Sequence, residues 1–403
     1  MLQQADLHST WTMVTDDAGL RAAAESLATG HGPVGVDAER ASGFRYGSEA
    51  YLVQAYREDS GTFLFDPTGI SSFAPLAQAL DGLEWILHAA SQDIPCLDEL
   101  GLHPPLLFDT ELAARLLGFE RVGLGALVES QLGISLQKAH SAADWSTRPL
   151  PESWLEYAAL DVALLPDLRE SIAHELDAQH KREFADEEFE AVRQRAPKPP
   201  VEDPWRKVSG GHRLRSPREL AIVRELWLAR DELARERDTA PGRLLPDSSI
   251  VAAAGAMPRS RGDLARLKTF AGRASRTELD RWWEAALRGK TTDQLPKPRP
   301  RDPDAMPHHR GWAQRHPDAA ARLSIAREAL TAEAEERSIP LENLLTPELL
   351  RRVSWAPPKP AKGTSSASAE QISDRLEELG ARHWQAVITA PIIAVAFVEA
   401  KQS

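Results

Sequence analysis

The chain contains a single cysteine, Cys96, among its 403 residues. One cysteine can form neither an internal disulfide nor a zinc site built from several thiolates, so both are excluded. A chain that uses so little cysteine fits a reducing compartment, and we predict a cytoplasmic location.

The sequence also lacks a long apolar run. Its longest mostly apolar stretch, residues 386–398, has 13 residues and contains Pro391. A membrane-spanning helix needs about 20 residues. We therefore predict a buried helix here and no association with a membrane.

Motifs for nucleotide binding and for zinc catalysis are absent as well. Gly289-Lys290-Thr291 resembles the end of a phosphate-binding loop, but Glu284 occupies the position of the required first glycine. No His-Glu-x-x-His pattern occurs. The sequence therefore predicts no nucleotide cofactor and no nucleotide-driven motor.

The net charge of −12 is unevenly distributed along the chain. Residues 1–200 carry −18, residues 201–295 carry +5, and residues 296–403 carry +1. An acidic part joined to a basic part suggests an enzyme that binds metal in one place and a polyanion in another. The alternative is that the asymmetry serves only the solubility of the surface.

Two carboxylates end a short apolar run at residues 34–39. The run follows a turn at Gly32-Pro33, a pattern that predicts a buried strand. Side chains alternate along a strand, so Asp37 and Glu39 point to the same face. At ~4 Å and an effective dielectric of ~20 their repulsion is about 4 kcal/mol. A bound divalent cation would offset this repulsion; the alternative is a solvated loop entry.

Three further residues carry possible chemistry. Asp93 follows a predicted strand and lies in the first turn of the next predicted helix, where the helix dipole alone also explains it. Tyr157 and Asp161 are four residues apart on a predicted helix and therefore share one face. The two alanines between them let another backbone approach closely. A Tyr–Asp pair at this spacing is also common in helices without a catalytic role.

The first 195 residues alternate strand and helix patterns. Predicted strands cover residues 11–14, 34–39, 51–56, 62–65 and 84–89. The third and fourth are separated by a short polar segment that predicts a hairpin. Strands that first pair antiparallel and later alternate with helices indicate an α/β fold with a mixed sheet flanked by helices.

Proline-rich segments at residues 195–200 and 295–307 divide the chain. Between them the strand patterns stop, and the capping box Ser216-Pro217-Arg218-Glu219 starts a predicted all-helical part. Leu244-Leu245-Pro246 in this part parallels Leu344-Leu345-Thr346, which indicates a diverged second copy. The predicted domains are residues 1–195, 205–295 and 308–403.

Together these motifs resemble the DEDD superfamily of 3′→5′ exonucleases in its tyrosine-bearing branch, and within that branch the ribonuclease D family. The matching segments are Val36-Asp37-Ala38-Glu39, Leu87-His88-Ala89-Ala90-Ser91-Gln92-Asp93, Asp144-Trp145 with Arg148-Pro149-Leu150, and Glu156-Tyr157-Ala158-Ala159 with Asp161-Val162. The helical part from Trp205-Arg206-Lys207-Val208 resembles the helicase-and-RNase-D C-terminal (HRDC) domain, and residues 308–403 resemble a diverged HRDC domain.

The resemblance implies a fold and a chemistry. It implies a ribonuclease H-like sheet on which Asp37, Glu39, Asp93 and Asp161 hold two divalent ions, Mg²⁺ or Mn²⁺. Two such ions clamp the attacking and leaving oxygens of an in-line phosphoryl displacement. The resemblance also implies that Tyr157 orients, or helps to deprotonate, the attacking water. The ordinary pKa of a tyrosine is ~10, which favours the orienting role unless the metals lower that pKa. The implied partner is RNA with a free 3′ end, such as a tRNA precursor, and the implied product is a 5′-nucleotide.

Residues near these motifs are predicted to contact the substrate. His88 is placed near the terminal nucleotide, with a satisfied core histidine as the alternative. Gln54 lies in the strand after the first motif. Arg148 either meets phosphate or anchors its own loop by a salt bridge. The basic residues of the helical part that either follow an RNA backbone or form a solvated face are Arg213, Arg215, Arg218, Lys268 and Arg273.

Two other functions stay open on the sequence. The motifs do not distinguish RNA from DNA, because the 2′-hydroxyl must be recognised by residues outside them, so a 3′→5′ DNA exonuclease is one alternative. A non-catalytic RNA-binding protein is the other, and the complete set of acids disfavours it.

Overall fold

The computed structural model of the chain describes residues 10–136, 143–196, 199, 201–297, 306–364 and 366–402. The predicted boundary segments 195–200 and 295–307 lie partly outside the described residues. The start of the predicted first domain, residues 1–9, lies outside them as well.

The first part of the chain forms one six-stranded sheet. Its strands are β1 (Trp11–Val14), β2 (His31–Arg40), β3 (Ala50–Glu58), β4 (Gly61–Phe65), β5 (Glu84–Leu87) and β6 (Leu106–Asp109). The strand order is β1-β4-β3-β2-β5-β6. β3 pairs antiparallel with both β2 and β4, whereas β2–β5, β5–β6 and β1–β4 are parallel. The predicted mixed sheet is confirmed.

β6 is the strand that the sequence pattern did not predict. It has four residues and follows Pro104-Pro105 directly, so it is too short to show an alternating pattern. Its pairing with β5 adds one parallel strand at the edge of the sheet, two strands away from the acid-bearing β2.

Helices cover the sheet. They are α1 (Asp17–Thr29), α2 (Ala74–Ala79), α3 (Ile94–Glu99), α4 (Thr110–Leu116), α5 (Leu124–Leu132), α6 (Glu152–Ala163), α7 (Leu165–Ala178) and α8 (Arg182–Arg193). Val34, Val36 and Ala38 of β2 lie in the large core cluster, which also includes side chains of α1, α4 and α7. The alanines of α6 join a second cluster with Leu52 and Leu64. The central strands are therefore buried on both faces, as strands covered by helices are.

The rest of the chain is helical in the residues that the structure describes. Its helices are α9 (Pro217–Glu236), α10 (Pro241–Leu244), α11 (Asp247–Ala256), α12 (Arg261–Ala265), α13 (Arg273–Thr277), α14 (Leu279–Thr291), α15 (Trp312–Arg315), α16 (Pro317–Glu336), α17 (Leu341–Leu344), α18 (Pro347–Trp355), α19 (Ala369–Glu378) and α20 (His383–Glu399). The predicted capping box at Ser216 forms at the start of α9. Helices α16, α17 and α18 begin 100 residues after α9, α10 and α11, which agrees with the internal repeat.

The two helical parts contact the sheet-containing part differently. Helices α9–α14 have a hydrophobic core of their own, against which Tyr46 of the β2–β3 loop packs. Ala334, Ile339 and Leu344, by contrast, belong to the core cluster of the sheet. Trp384 belongs to it too, and its ring stacks on Phe184 of α8 with centroids 4.7 Å apart.

None of the helices in the described residues is long and apolar enough to cross a membrane. The apolar run at residues 386–398 forms most of α20, with Ile393, Ala396 and Phe397 in its buried face. Val387, Val395 and Val398 are exposed, so the prediction of a buried helix holds for one face only.

Candidate active site

The acids of β2 lie on the strand face that α6 covers. Gly35, Asp37 and Glu39 alternate onto this face. A Cβ atom on Gly35 would lie 2.7 Å from the Val162 carbonyl oxygen. The missing side chain therefore lets the end of α6 approach the strand beside the two acids.

Helix α6 carries Tyr157 and Asp161, which face the two acids of β2. Ala158 and Ala159 are fully buried against the sheet, so the helix lies close to it. Asp161 is buried on the same helix. Carboxylate oxygens of Asp37, Glu39 and Asp161 all lie within 4.8 Å of one another. Tyr157, one turn earlier, hydrogen-bonds to Asp161.

Asp93 lies in the same cleft but outside this three-carboxylate group. It follows β5 and a short turn and precedes α3. Its Oδ1 accepts a hydrogen bond from Arg40, with 3.4 Å between Oδ1 and the guanidinium nitrogen. The structure therefore brings all four predicted acids into one cleft, with three in mutual contact range and the fourth paired with an arginine.

A buried carboxylate holds the turn that leads to Asp93. Asp109 accepts hydrogen bonds from the backbone N–H groups of Ala89 and Ala90, at 3.1 and 2.9 Å. It also accepts from the first N–H groups of α4. Ala89 adopts a left-handed conformation, with φ of 60°, an unfavourable geometry for a residue with a side chain. The Asp109 hydrogen bonds stabilise this turn and so position Asp93.

Burial strongly perturbs the protonation of the cluster. Desolvation raises the pKa of Asp37 to about 6 and that of Asp93 to about 8. Desolvation and the neighbouring acids raise the pKa of Glu39 to about 10. Burial and Asp37 raise the pKa of Asp161 well above its usual range. These buried acids favour protons or cations over the bare charged state.

The donor chemistry of the cluster fits a hard divalent cation. Asp37, Glu39 and Asp161 provide carboxylate oxygens, the ligands that Mg²⁺ and similar ions prefer. The cleft is about 410 Å³ and includes Tyr157 and His88 in its lining. A larger groove of about 600 Å³ runs along α16, but within the described residues no three side chains that could bind a metal converge there.

His88 lines the cleft as predicted, although its role toward a substrate stays a prediction. Its Nδ1 lies 2.9 Å from the Thr110 hydroxyl oxygen. That hydroxyl donates to the Leu87 carbonyl, so it accepts from Nδ1–H. Burial lowers the pKa of His88 to about 4. The ring is therefore neutral at pH 7, with Nε2 as an acceptor.

Gln54 is buried, and the guanidinium of the exposed Arg148 is engaged within its own loop. Gln54 pairs with Asp37 across the sheet but is fully buried, so its predicted substrate contact is wrong for this structure. The Arg148 guanidinium contacts both Asp66 oxygens, at 2.7 and 2.8 Å, and donates to three backbone carbonyls. Arg148 therefore anchors its loop, the alternative that the sequence left open.

The basic residues of the helical part separate into two groups. Arg218 donates to the carbonyls of Gly289 and Thr292 and so fastens the end of α14, which corrects its predicted place on an RNA-binding face. The residues with exposed side chains are Arg213, Arg215, Lys268 and Arg273.

Sequence reasoning missed Arg40 and Asp109. Arg40 directly follows Glu39, and a basic residue beside an acid pair was the available signal. Asp109 is the residue that caps the start of α4. Its contacts with the Ala89-Ala90 turn span about 20 residues and left no local pattern.

Comparison with known proteins agrees with this geometry. A family described as 3′-5′ exonuclease matches residues 11–177, the HRDC domain family matches residues 219–285, and a family described as 3′ to 5′ exonuclease C-terminal domain matches residues 305–397.

Among curated relatives, ribonuclease D of Shewanella sp. (strain ANA-3) is 34% identical over 228 residues, which are 55% of this chain and 58% of that protein. The chain thus spans less than two thirds of that relative's length. Ribonuclease D of Escherichia coli (strain K12) is 30% identical over 259 residues, 63% of this chain and 68% of that protein.

Solved structures match over nearly the whole chain. A protein from Bifidobacterium adolescentis has a TM-score of 0.86 at 36% identity, covering 96% of this chain and 97% of that one. The crystal structure of Escherichia coli RNase D has a TM-score of 0.67 at 26% identity, covering 92% and 98%. With the acidic cleft and the exonuclease and HRDC matches, these similarities show that the chain belongs to the ribonuclease D family.

Proposed function

We propose that this chain is a metal-dependent 3′→5′ exoribonuclease that releases 5′-nucleotides from RNA 3′ ends. One observation carries the proposal: the carboxylates of Asp37, Glu39 and Asp161 converge within 4.8 Å of one another in one cleft with Tyr157. RNA is the proposed substrate because the related Escherichia coli enzyme is described as an exoribonuclease involved in structured RNA processing. For the same reason we propose tRNA precursors as natural substrates.

The proposed cofactor is a pair of divalent ions, Mg²⁺ or Mn²⁺. Asp37, Glu39 and Asp161 would hold them, and Asp93 would complete the set after leaving Arg40. When bound, such ions polarise the scissile phosphodiester and offset charge on the attacking and leaving oxygens. The four carboxylates bring −4, which two divalent ions balance.

Tyr157 is proposed to orient the attacking water. Burial and the Asp161 carboxylate raise the pKa of this phenol above its ordinary value, so it keeps its proton at pH 7. A protonated phenol can hold a water by hydrogen bonding but does not remove a proton from it. The neutral His88 can accept a hydrogen bond from a hydroxyl of the terminal nucleotide, the role proposed for it here.

Two helical parts follow the part of the chain that contains the acidic cleft. We propose that residues 1–195 form the catalytic domain, residues 205–295 an HRDC domain, and residues 308–403 a second, diverged HRDC-like domain. The exposed basic residues of the first helical part are the proposed contacts with the RNA backbone. The cytoplasmic location stays a prediction from the cysteine content.

Digestion of end-labelled oligonucleotides tests the proposal. With Mg²⁺ or Mn²⁺, a 5′-labelled RNA should shorten step by step, and a 3′-labelled RNA should release labelled mononucleotide at once. EDTA should stop both reactions, and a circular RNA of the same sequence should stay intact. A DNA of the same sequence decides between RNA and DNA as the substrate.

The control for contamination is Asp161→Ala, prepared in the same way. It should fold as the parent does, judged by circular dichroism, and release no nucleotide. Full activity of this variant, or no digestion of RNA by the parent protein with either metal, would refute the proposed function.

A further inference from the structure

One basic side chain lies among the acids of the cleft. In the described part of the chain, Arg40 is the sole arginine or lysine in the cleft lining. Its guanidinium is close enough to oppose part of the rise in the pKa of Asp37, Glu39 and Asp93 that burial causes. The cleft therefore contains one positive charge facing its carboxylates.

A break in the sheet register occurs where Arg40 leaves β2. Glu39 pairs with Leu52 of β3, whereas Arg40 pairs with Ala50, so Tyr51 is skipped. Along a regular strand Arg40 would point away from the face that carries Asp37 and Glu39. The extra residue, Tyr51, lies on β3, and irregularities of this kind increase the local twist and are common beside active sites. Here the side chain extends into the cleft and meets Asp93.

The contact with Asp93 uses little of the guanidinium's capacity. It is a single hydrogen bond of 3.4 Å, at the weak end of the range. An arginine has five N–H donors, and the Arg40 side chain is 27% exposed. Arg148, by contrast, binds both oxygens of Asp66 at 2.7 and 2.8 Å and also three carbonyls. Arg40 thus keeps N–H donors for a further anion, whereas the N–H donors of Arg148 are engaged by Asp66 and the three carbonyls.

The charge balance of the site favours a phosphate group as that anion. Four carboxylates and two divalent ions sum to zero, and Arg40 leaves the loaded site with +1. One phosphodiester carries −1. A planar guanidinium can also bind two oxygens of one phosphate at the same time.

We propose that Arg40 is a substrate-binding residue that leaves Asp93 when metal binds and contacts the phosphate of the 3′-terminal nucleotide. This inference rests on the proposed function. The competing explanation is that Arg40 only holds Asp93 in place as a structural ion pair.

Metal affinity and phosphate affinity, measured separately, distinguish the two roles. The variants are Arg40→Ala, Arg40→Gln and Arg40→Lys, and calorimetry gives the affinity for Mn²⁺ alone and then for AMP at saturating Mn²⁺. If Arg40 binds phosphate, Arg40→Ala should bind Mn²⁺ as tightly as the parent or more tightly, because a competing cation is gone. Its affinity for AMP should fall about ten- to hundredfold, the usual effect of losing a charged hydrogen bond.

A purely structural Arg40 gives the opposite pattern. Arg40→Ala should then weaken Mn²⁺ binding, because Asp93 loses its support, and leave AMP affinity at saturating Mn²⁺ unchanged. That result would overturn the inference. Arg40→Lys should retain part of the AMP affinity, since lysine keeps the positive charge but cannot donate two parallel hydrogen bonds to one phosphate. If Arg40→Ala does not fold, the same comparison is made with Arg40→Gln.

Arg115→Ala is the matched control. Arg115 is an arginine near the cleft rim whose guanidinium is held by Glu111, itself a lining residue. Its removal changes the net charge equally and should alter AMP affinity less than twofold. On RNA, Arg40→Ala should raise KM and reduce the salt dependence of binding by ~0.7 in slope, one phosphate contact.

RNA digestion and AMP binding by the unsubstituted parent protein separate this inference from the proposed function. If the parent digests RNA and binds AMP, but Arg40→Ala binds AMP equally well, only the role of Arg40 is wrong. If the parent neither digests RNA nor binds AMP with Mn²⁺, the proposed function and this inference fail together.

Discussion

At the residue scale, the site concentrates negative charge in a place where water does not screen it well. Asp37, Glu39 and Asp161 are drawn together by a strand and a helix that are packed for other reasons, namely the burial of valines and alanines. Isolated charges in such a setting are unfavourable by several kcal/mol, so protons or cations must accompany them. The choice between protons and cations has consequences that can be measured.

Stability of the protein in EDTA should fall as pH rises from about 4, the unfolded pKa of an aspartate, to about 8. Desolvation raises the pKa of Asp37 to about 6 and that of Asp93 to about 8 in the folded state. An acid whose folded pKa is raised contributes stability below its unfolded pKa and loses it as pH rises through the folded pKa. Urea unfolding in EDTA at several pH values measures this loss, and Mg²⁺ should reduce it because cations replace the protons.

Asp161→Asn serves as the reference for this experiment. It removes one buried charge and should flatten the dependence in EDTA. If the free energy of unfolding in EDTA were constant or rose over this pH range, the acids would not be buried together as described.

Tyr157→Phe tests the tyrosine. The change removes the hydroxyl that hydrogen-bonds to Asp161 and leaves the ring in place. Single-turnover hydrolysis should slow by about 10²- to 10³-fold, within the range for a group that positions or transfers a proton. Binding of RNA, measured in Ca²⁺, should change less than threefold. An unchanged single-turnover rate would remove Tyr157 from the mechanism.

At the scale of elements, the site depends on how closely α6 approaches β2. Gly35 is the contact point, because a Cβ there would lie 2.7 Å from the Val162 carbonyl oxygen and 3.2 Å from the Leu165 Cβ. The backbone carbonyl cannot rotate away as a flexible side chain could. The position of Asp161 relative to Asp37 is therefore set by the absence of a side chain two residues before Asp37.

Gly35→Ala should shift the helix and disturb the metal site. We expect a loss of about 1–3 kcal/mol in the free energy of unfolding, as for other overpacked core positions, and a weaker affinity for Mn²⁺. The matched control is Gly123→Ala, since Gly123 also lines the cleft but a Cβ there meets nothing within 4 Å. Equal effects of the two substitutions, by urea unfolding and calorimetry, would contradict this account of the helix approach.

At the scale of the whole molecule, the first helical part is attached to the active-site strand through one loop. Ala240 donates to the Phe44 carbonyl at 2.9 Å, and Arg243 lies over the Phe44 ring. Arg45 bonds to Asp238 on one side and to the Ser146 hydroxyl on the other, at 3.2 and 2.7 Å. The loop after β2 thus connects the helical part to the segment that carries Arg148.

Arg45→Ala should loosen this connection without unfolding the protein. Its ion pair with Asp238 is half exposed, and such pairs contribute at most about 1 kcal/mol. We expect faster hydrogen exchange at the Tyr46 amide, which donates to Asp238, with little change in melting temperature. Arg261→Ala, which breaks an exposed ion pair with Asp280 inside the helical part, is the control and should leave Tyr46 unaffected. Identical exchange in Arg45→Ala and the parent would show that Arg45 does not couple the two parts.

The sequence predicts the elements of this molecule better than it predicts side-chain roles. The alternation that puts Asp37 and Glu39 on one face, and the helical spacing of Tyr157 and Asp161, are local rules and both hold in the structure. The partner of Arg148, by contrast, is Asp66, 82 residues away. No local pattern reveals such a pairing, and the same is true of the complete burial of Gln54.

The register shift at Arg40 is a third case of this kind. It arises from unequal pairing between β2 and β3, which the sequence of either strand alone does not reveal. Prediction from the sequence therefore succeeds where periodicity decides the geometry and fails where distant segments decide it.

Anomalous scattering from crystals soaked with Mn²⁺ and AMP would show whether the four acids of the cleft share divalent cations beside Tyr157. We expect Mn²⁺ peaks bonded to Asp37, Glu39 and Asp161, with Asp93 released from Arg40 and joining them. Mn²⁺ bound elsewhere, or no peak in this cleft at saturating metal, would contradict this expectation.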